Sequence, residues 1–223
     1  MRDTLPRPAD QAGGRGIAIE ADGPTGVRSE ATLVATVLQR NHDVGILVVG
    51  SDAVVDRVTV TGTLPRPVGG QMGRALQVQR SPNEAGEASV TLQASLFSDN
   101  HDVAVFLSAS SLVASSTIVR GTGATAEGFM GDGIAVVHYD GPASGELVRL
   151  KVEQNARAGL GSFGAYVTVR DTTFSCNAFD LAEETFIGMP PELIDGGGNH
   201  CGCETESACH AVSAGLEAPE PLP

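Results

Sequence analysis

Two turns share one sequence, Asn41-His42-Asp43-Val44 and Asn100-His101-Asp102-Val103. Each sets an amide, an imidazole and a carboxylate in succession. Such a set could hold calcium through its oxygens, or act as an acid–base pair on a sugar. Asp99, Asp102, Asp132 and Asp140 are further oxygen donors a calcium ion could use. Arg149 and Lys151 flank Leu150. On a strand they would point the same way and could meet a carboxylate. Arg7, Arg15, Arg66 and Arg74 recur in similar contexts and could also meet carboxylate or sulfate groups. Cys176, Cys201, Cys203 and Cys209 lie in the last quarter of the chain. Four cysteines allow three pairings in an oxidising compartment. A zinc site using the last three with His200 or His210 is the rival reading, but Cys-Gly-Cys is tighter than the usual zinc spacing.

These residues sit in a chain of 223 residues with net charge −13, no Trp, two Tyr and seven Phe. So acidic a chain is a poor nucleic-acid binder, since phosphates are held by basic surfaces. No apolar run approaches the ~20 residues of a membrane span; the best lie at 45–50 and 103–107. No secretory leader pattern follows Met1. With 28 Gly and 12 Pro between short β-rich runs, the chain predicts many turns and short strands.

An internal repeat organises the whole chain. Thr4-Leu5-Pro6-Arg7-Pro8 returns as Thr63-Leu64-Pro65-Arg66-Pro67, and the two Asn-His-Asp turns share the same offset of 59. A looser third copy reads Asn155-Ala156-Arg157-Ala158. Gly16-Ile17-Ala18 and Gly133-Ile134-Ala135 mark equivalent points in the first and third copies. The β-rich runs end at Asn41, Thr63, Asn100, Thr122, Asn155 and Asn177, in steps of 22, 37, 22, 33 and 22. Three residues back stand Leu38, Val60, Phe97, Val119, Val152 and Phe174, all apolar. Eight back stand Leu33, Val55, Leu92, Ala114, Leu147 and Val169, also apolar. Five back stand Thr36, Val58, Ser95, Thr117, Leu150 and Thr172, small or β-branched except Leu150. This is β alternation broken by turns, and stacked units of this kind bury one continuous core. Asn at the run ends tolerates the left-handed conformation, and its amide can bond a neighbouring layer. The six positions are therefore expected to form a structural turn ladder.

The segments 90–100 and 167–177 resemble coils of a right-handed parallel β-helix, similar to the pectate-lyase-like superfold and to secreted bacterial β-helix repeat proteins. The resemblance covers residues 1–180. It implies an all-β solenoid of about six coils of ~22 residues, alternate coils carrying inserted loops, with an irregular C-terminal cap. It says little about activity, because one fold hosts many. The Asn-x-Asp turns and the Arg149/Lys151 pair faintly resemble elements of polygalacturonase-type hydrolases, in which an Arg-x-Lys pair binds a uronate carboxylate. The remaining Asp-Asp and Gly-His-Gly elements of those enzymes are absent.

Three segments follow: the helix at 1–180, a cysteine-containing cap at 181–215, and a proline-rich flexible tail at 216–223. Thr4 occupies the column of Thr63, so residues 1–4 read as the stub of a coil. That predicts further coils upstream, where an export signal would lie. In stacked coils ~4.8 Å apart, the two Asn-His-Asp turns sit ~10 Å apart, too far to share one ion, which favours solvated turn tips. The loops at 5–15, 64–74 and 123–132 should emerge on one side and could wall a groove. The reading is a non-catalytic, secreted or cell-surface structural or adhesive module, binding a polysaccharide or cell-surface component through that face. The alternative is a polysaccharide lyase, hydrolase or epimerase. Calcium is the one cofactor the acidic residues suggest, and the sequence does not specify an oligomeric state.

Overall fold

Short runs of Val, Ile, Leu and Thr closed by Asn, Gly or Ser cannot make long strands, but stacked they complete one another's hydrogen bonds. In the computed structural model they wind into seven coils. The structure describes residues 1–9, 13–82, 86–203 and 207–222. Each coil contributes one strand to each of three parallel sheets, and each sheet has seven strands. No helix is long and apolar enough to cross a membrane among the described residues.

The first coil comprises β1 (Ile17–Glu20), β2 (Glu30–Val34) and β3 (Val37–Gln39). The second comprises β4 (Val44–Val49), β5 (Asp52–Asp56) and β6 (Thr59–Thr61), and the third β7 (Arg74–Gln79), β8 (Ser89–Gln93) and β9 (Leu96–Ser98). The fourth is β10 (Val103–Ser108), β11 (Ser111–Ser115) and β12 (Ile118–Arg120). The fifth is β13 (Asp132–Val137), β14 (Ser144–Val148) and β15 (Lys151–Glu153). The sixth is β16 (Ala158–Phe163), β17 (Tyr166–Arg170) and β18 (Thr173–Ser175). β19 (Phe179–Glu184), β20 (Glu192–Asp195) and β21 (His200–Cys201) complete a seventh. Residues 1–3 run beside β3 as an outer neighbour, with Asp3 N–H donating to Gln39 O.

The expected columns stack in register. Leu38, Val60, Phe97, Val119, Val152 and Phe174 pair successively through the third sheet, each with 0% exposure. Leu33, Val55, Leu92, Ala114, Leu147 and Val169 pair successively in the second sheet, all buried but Leu33, which is partly buried in the first coil. Ile46, Leu76, Val105, Ile134 and Leu160 close the core from the first.

Two corners carry polar ladders. At one, Asn41, Asn100, Asn155 and Asn177 each take an N–H from the layer below, whereas the buried hydroxyls of Thr63 and Thr122, which close the second and fourth coils, have no partner among the described residues. Thr63 N–H donates to Asn100 Oδ1 at 3.0 Å, Thr122 to Asn155 at 3.0 Å and Asn155 to Asn177 at 3.1 Å. Thr4 donates to Asn41 through both N–H and hydroxyl. The ladder is buried, with Asn41 and Asn100 at 0% and 1% exposure. The left-handed conformation falls on the preceding residues, Arg40, Gly62, Asp99, Gly121, Gln154 and Cys176, and not on the Asn itself. At the other corner, Ser95 and Thr172 hydroxyls accept N–H groups from Val58 and Leu150.

Six coils were expected, and there are seven. The segment assigned to an irregular cap, from 181 on, supplies the seventh. Its strands are separated by irregular stretches at 185–191 and 196–199, so it lacks the 22-residue spacing. Asn199 keeps the corner bond, accepting Thr172 N–H at 3.0 Å. Disulfides Cys176–Cys203 and Cys201–Cys209 tie this coil down, which fits an oxidising compartment. Residues 204–206 of that expected cap, 10–12 of the first expected loop, and 223 lie outside the described residues.

Candidate binding groove

Strands of the second sheet alternate buried and exposed residues, whereas β7, β10, β13 and β16 are buried along their whole length. A strand buried on both faces must be covered from outside. The first, third and fifth coils carry inserted loops at both ends of their first-sheet strand. Loops at 64–73 and 123–131 lead into β7 and β13. Residues 80–82, 86–88 and 138–143 lie beyond the other ends. The outer face of the first sheet is thus a floor between two walls.

The loops pivot on glycine. Gly14, Gly73 and Gly131 have φ of 87°, 103° and 105°, and a Cβ on each would lie 2.7 Å from the Cβ of His42, His101 or Ala156. Both the left-handed backbone and the close approach require glycine here. Past these pivots the next charged side chain turns onto the floor. Arg15 Nε reaches Asp43 at 3.3 Å and Arg66 Nε reaches the same carboxylate at 2.7 Å. Arg74 Nε contacts Asp102, and its guanidinium lies 4.1 Å from the Phe106 ring centroid. Arg157 meets both carboxylate oxygens of Asp132. Burial pushes the Asp132 carboxyl up, against the lowering pull of Arg157 and of the Ala158 N–H.

The Asn-His-Asp turns are therefore not solvated tips. Asp43 and Asp102 are 0% and 4% exposed and ion-paired. His42 Nδ1 lies 3.2 Å from Pro65 O, and His101 Nδ1 lies 3.0 Å from Thr63 O. Asp102 and Asp132 stand in adjacent coils, each with its own arginine, while Asp140 is exposed on the rim. Among the described residues no three His, Cys, Asp or Glu converge as around a metal ion. Arg15, Arg66 and Arg74, expected to receive a ligand's acid groups, are taken by this chain's own. Arg7 is exposed on the first loop. Arg149 and Lys151 lie away from the groove. Arg149 is exposed at a left-handed corner (φ 56°), and Lys151 pairs with Glu153 at 2.8 Å.

Two features were not read from the sequence. One is a buried polar file on β7, where Arg74 Nη1 donates to Gln77 Oε1 at 3.2 Å and Gln77 Nε2 donates to Gln79 Oε1. The other is what covers the floor. Residues 212–222, expected in large part to be a flexible tail, leave the seventh coil beside β19 and cross the sheet as far as the second coil. Glu184 accepts N–H groups of Ala214 at 2.7 Å and Leu216 at 3.0 Å, and the Ser213 hydroxyl at 2.7 Å. Arg157 Nη1 donates to Glu217 O at 2.9 Å. Leu216 and Ala218 pack against the cluster of Val103, Phe106, Ala135, Val137 and Phe163. Leu222, 5% exposed, packs on Val44, Leu47 and Met72. Between this segment and the loop walls lies an open groove of about 780 Å³, lined among others by Arg66, Met72, Phe129, Tyr139 and Asp140. Its size is that of a ligand site.

No protein-family model, curated protein or solved structure matches this chain in the comparisons made.

Proposed function

We propose that this protein is a non-catalytic, exported β-helix acting as a structural or adhesive module, with the loop-walled groove as its binding face. The single observation that carries the reading is the state of the groove's reactive side chains. Acid–base catalysis needs a carboxyl or imidazole free to exchange a proton beside a charge stabiliser. Here Asp43, Asp102 and Asp132 are each held by arginine, and among the described residues no histidine lines the groove beside its exposed carboxylates Glu127, Asp140, Glu217 and Glu220. The two disulfides support an extracellular or cell-surface location. A right-handed helix of the pectate-lyase-like superfold is the fold assignment that accompanies this reading.

A glycan is the ligand this reading favours for the open part of the groove. Phe129, 59% exposed, and Tyr139 offer ring faces there, beside Arg66 and Asp140. The test is to incubate the protein with fluorescent neutral and acidic polysaccharides, with calcium and with chelator, and to size the products. A shift of a glycan to larger size, lost in Phe129→Ala, supports the binding module. Any glycan cut to smaller size overturns the non-catalytic reading in favour of a lyase or hydrolase.

A further inference from the structure

A segment that merely caps a sheet needs only apolar contact, yet this cover is also held by its main chain. The Leu222 N–H donates to Gln79 Oε1 at 3.0 Å, and Gln79 Nε2 donates back to Leu222 O at 3.1 Å. One buried amide thus reads both main-chain polar groups of one residue, as a neighbouring strand would. Gln79 is 5% exposed and Gln77 behind it 0%. The file Arg74–Gln77–Gln79 stands beside the apolar Leu47 and Phe106 patches and ends on the segment's backbone. Arg157 and Glu184 bind main-chain atoms too. Glu184 also takes the Ser213 hydroxyl, but over 216–222 these contacts reach only main-chain atoms.

The segment itself is suited to release. It forms no strand over 216–222 and crosses the sheet instead of extending it. Pro219 and Pro221 bring no N–H that would need a partner, and such sequences are stiff and extended before they bind. One end is fixed by Glu184 and Arg157, the other by Gln79 and by the buried side chain of Leu222. The groove beside it leaves the site larger than its occupant.

We propose that the outer face of the first sheet is a binding site for an extended, proline-containing peptide, which residues 216–222 occupy in cis as a detachable strap. The recognition is main-chain pairing to Gln79, with apolar side chains entering the Val44–Leu47–Met72 and Phe106–Phe163 patches. The proposal goes beyond the adhesive reading and stands whether or not a glycan binds the open groove.

The test uses the full chain and a fluorescein-labelled peptide of residues 214–223. Leu222→Asp removes the buried anchor at the far end of the strap. With the cis competitor lifted, peptide affinity should rise at least about tenfold over the unaltered protein, because a tethered occupant competes at an effective concentration in the millimolar range. Adding Gln79→Ala should cancel that gain. Circular dichroism and melting show that each variant keeps its coils, and amide exchange at position 222, in the unaltered chain and in the variant, reports the strap. A folded Leu222→Asp variant that binds the peptide no better than the unaltered protein overturns the proposal. So does a strap whose amides stay protected in that variant, since it is then not detachable. An affinity gain that persists with Gln79→Ala overturns main-chain pairing as the basis of recognition.

Discussion

Arg157 and Asp132 form the ion pair of Arg74 and Asp102 with the two charges exchanged. Arg74 and Asp132 each open a strand of the first sheet, while Asp102 and Arg157 each sit just before the following one. In the second repeat the arginine opens the strand and the carboxylate follows; in the third the order is reversed. What the repeats preserve is a neutral pair at the edge of the floor.

Removing one member of such a pair leaves the other charge buried, which typically costs about 3–5 kcal/mol. Arg157→Ala and Asp132→Ala should each lower the urea midpoint accordingly. The double exchange Asp132→Arg with Arg157→Asp copies the second repeat's arrangement and should recover most of the loss. Equilibrium unfolding of the four proteins checks this. An exchange variant no more stable than the single variants would mean that the site distinguishes the two orientations.

The Asn ladder gives a second prediction. Asn100 Oδ1 accepts Thr63 N–H, and Nδ2 donates to Val60 O at 3.2 Å and Ser98 O at 3.0 Å. Asn100→Ala leaves these groups buried without partners, at roughly 1–3 kcal/mol for an unsatisfied group. Asn100→Asp keeps the acceptor but sets a buried carboxylate oxygen against the Val60 and Ser98 carbonyls, and should be no more stable than Asn100→Ala. Denaturant unfolding ranks the three. An Asn100→Ala protein as stable as the parent would show that water or backbone adjustment replaces the amide.

Most of the coil architecture was legible because it is one-dimensional. Val60, Phe97 and Val119 bury the same way in successive layers, so a common spacing marks them without knowledge of the fold. The seventh coil was not legible, because its strands are joined by stretches that break the spacing while Asn199 keeps the bond. The Arg157–Asp132 pair was hidden because the third turn was compared residue for residue with Asn-His-Asp. The compensating change lies 25 positions upstream. Gln77 and Gln79 gave no signal, since an outward glutamine on a strand ordinarily meets water. Only the return of residue 222 across 143 positions buries it. The unbroken apolar runs at 45–50 and 103–107 were weighed only as membrane spans, and prove to be strands buried on both faces.

The disulfides should stabilise the seventh coil locally. Cys176–Cys203 closes 27 positions and Cys201–Cys209 closes 8. Reduction removes a constraint of about 2–4 kcal/mol per bridge. It should raise amide exchange in β20, β21 and residues 207–213 while the Leu92–Val119 core stays protected. Exchange mass spectrometry with and without reductant measures this. Uniform loss of protection would mean that the bridges support the whole stack.

The strap's fixed end is a carboxylate, so it should respond to acid. Burial alone would raise the Glu184 carboxyl. Hydrogen bonds from the Leu216 N–H, the Ser213 hydroxyl and the Ala214 and Gly215 N–H groups outweigh it and hold the group below its ordinary value of 4.5. A carboxyl lowered in the folded state contributes stability above its unfolded pKa, and loses it as pH falls through the lower folded value. The Leu216 amide should therefore stay protected at neutral pH and exchange faster, after correction for the intrinsic pH dependence, as the solution is taken well below pH 4.5. Glu184→Gln keeps the shape but not the charge, so it should weaken this anchor at neutral pH and flatten the profile below. The same pH dependence in parent and variant would assign the effect to carboxylates other than Glu184.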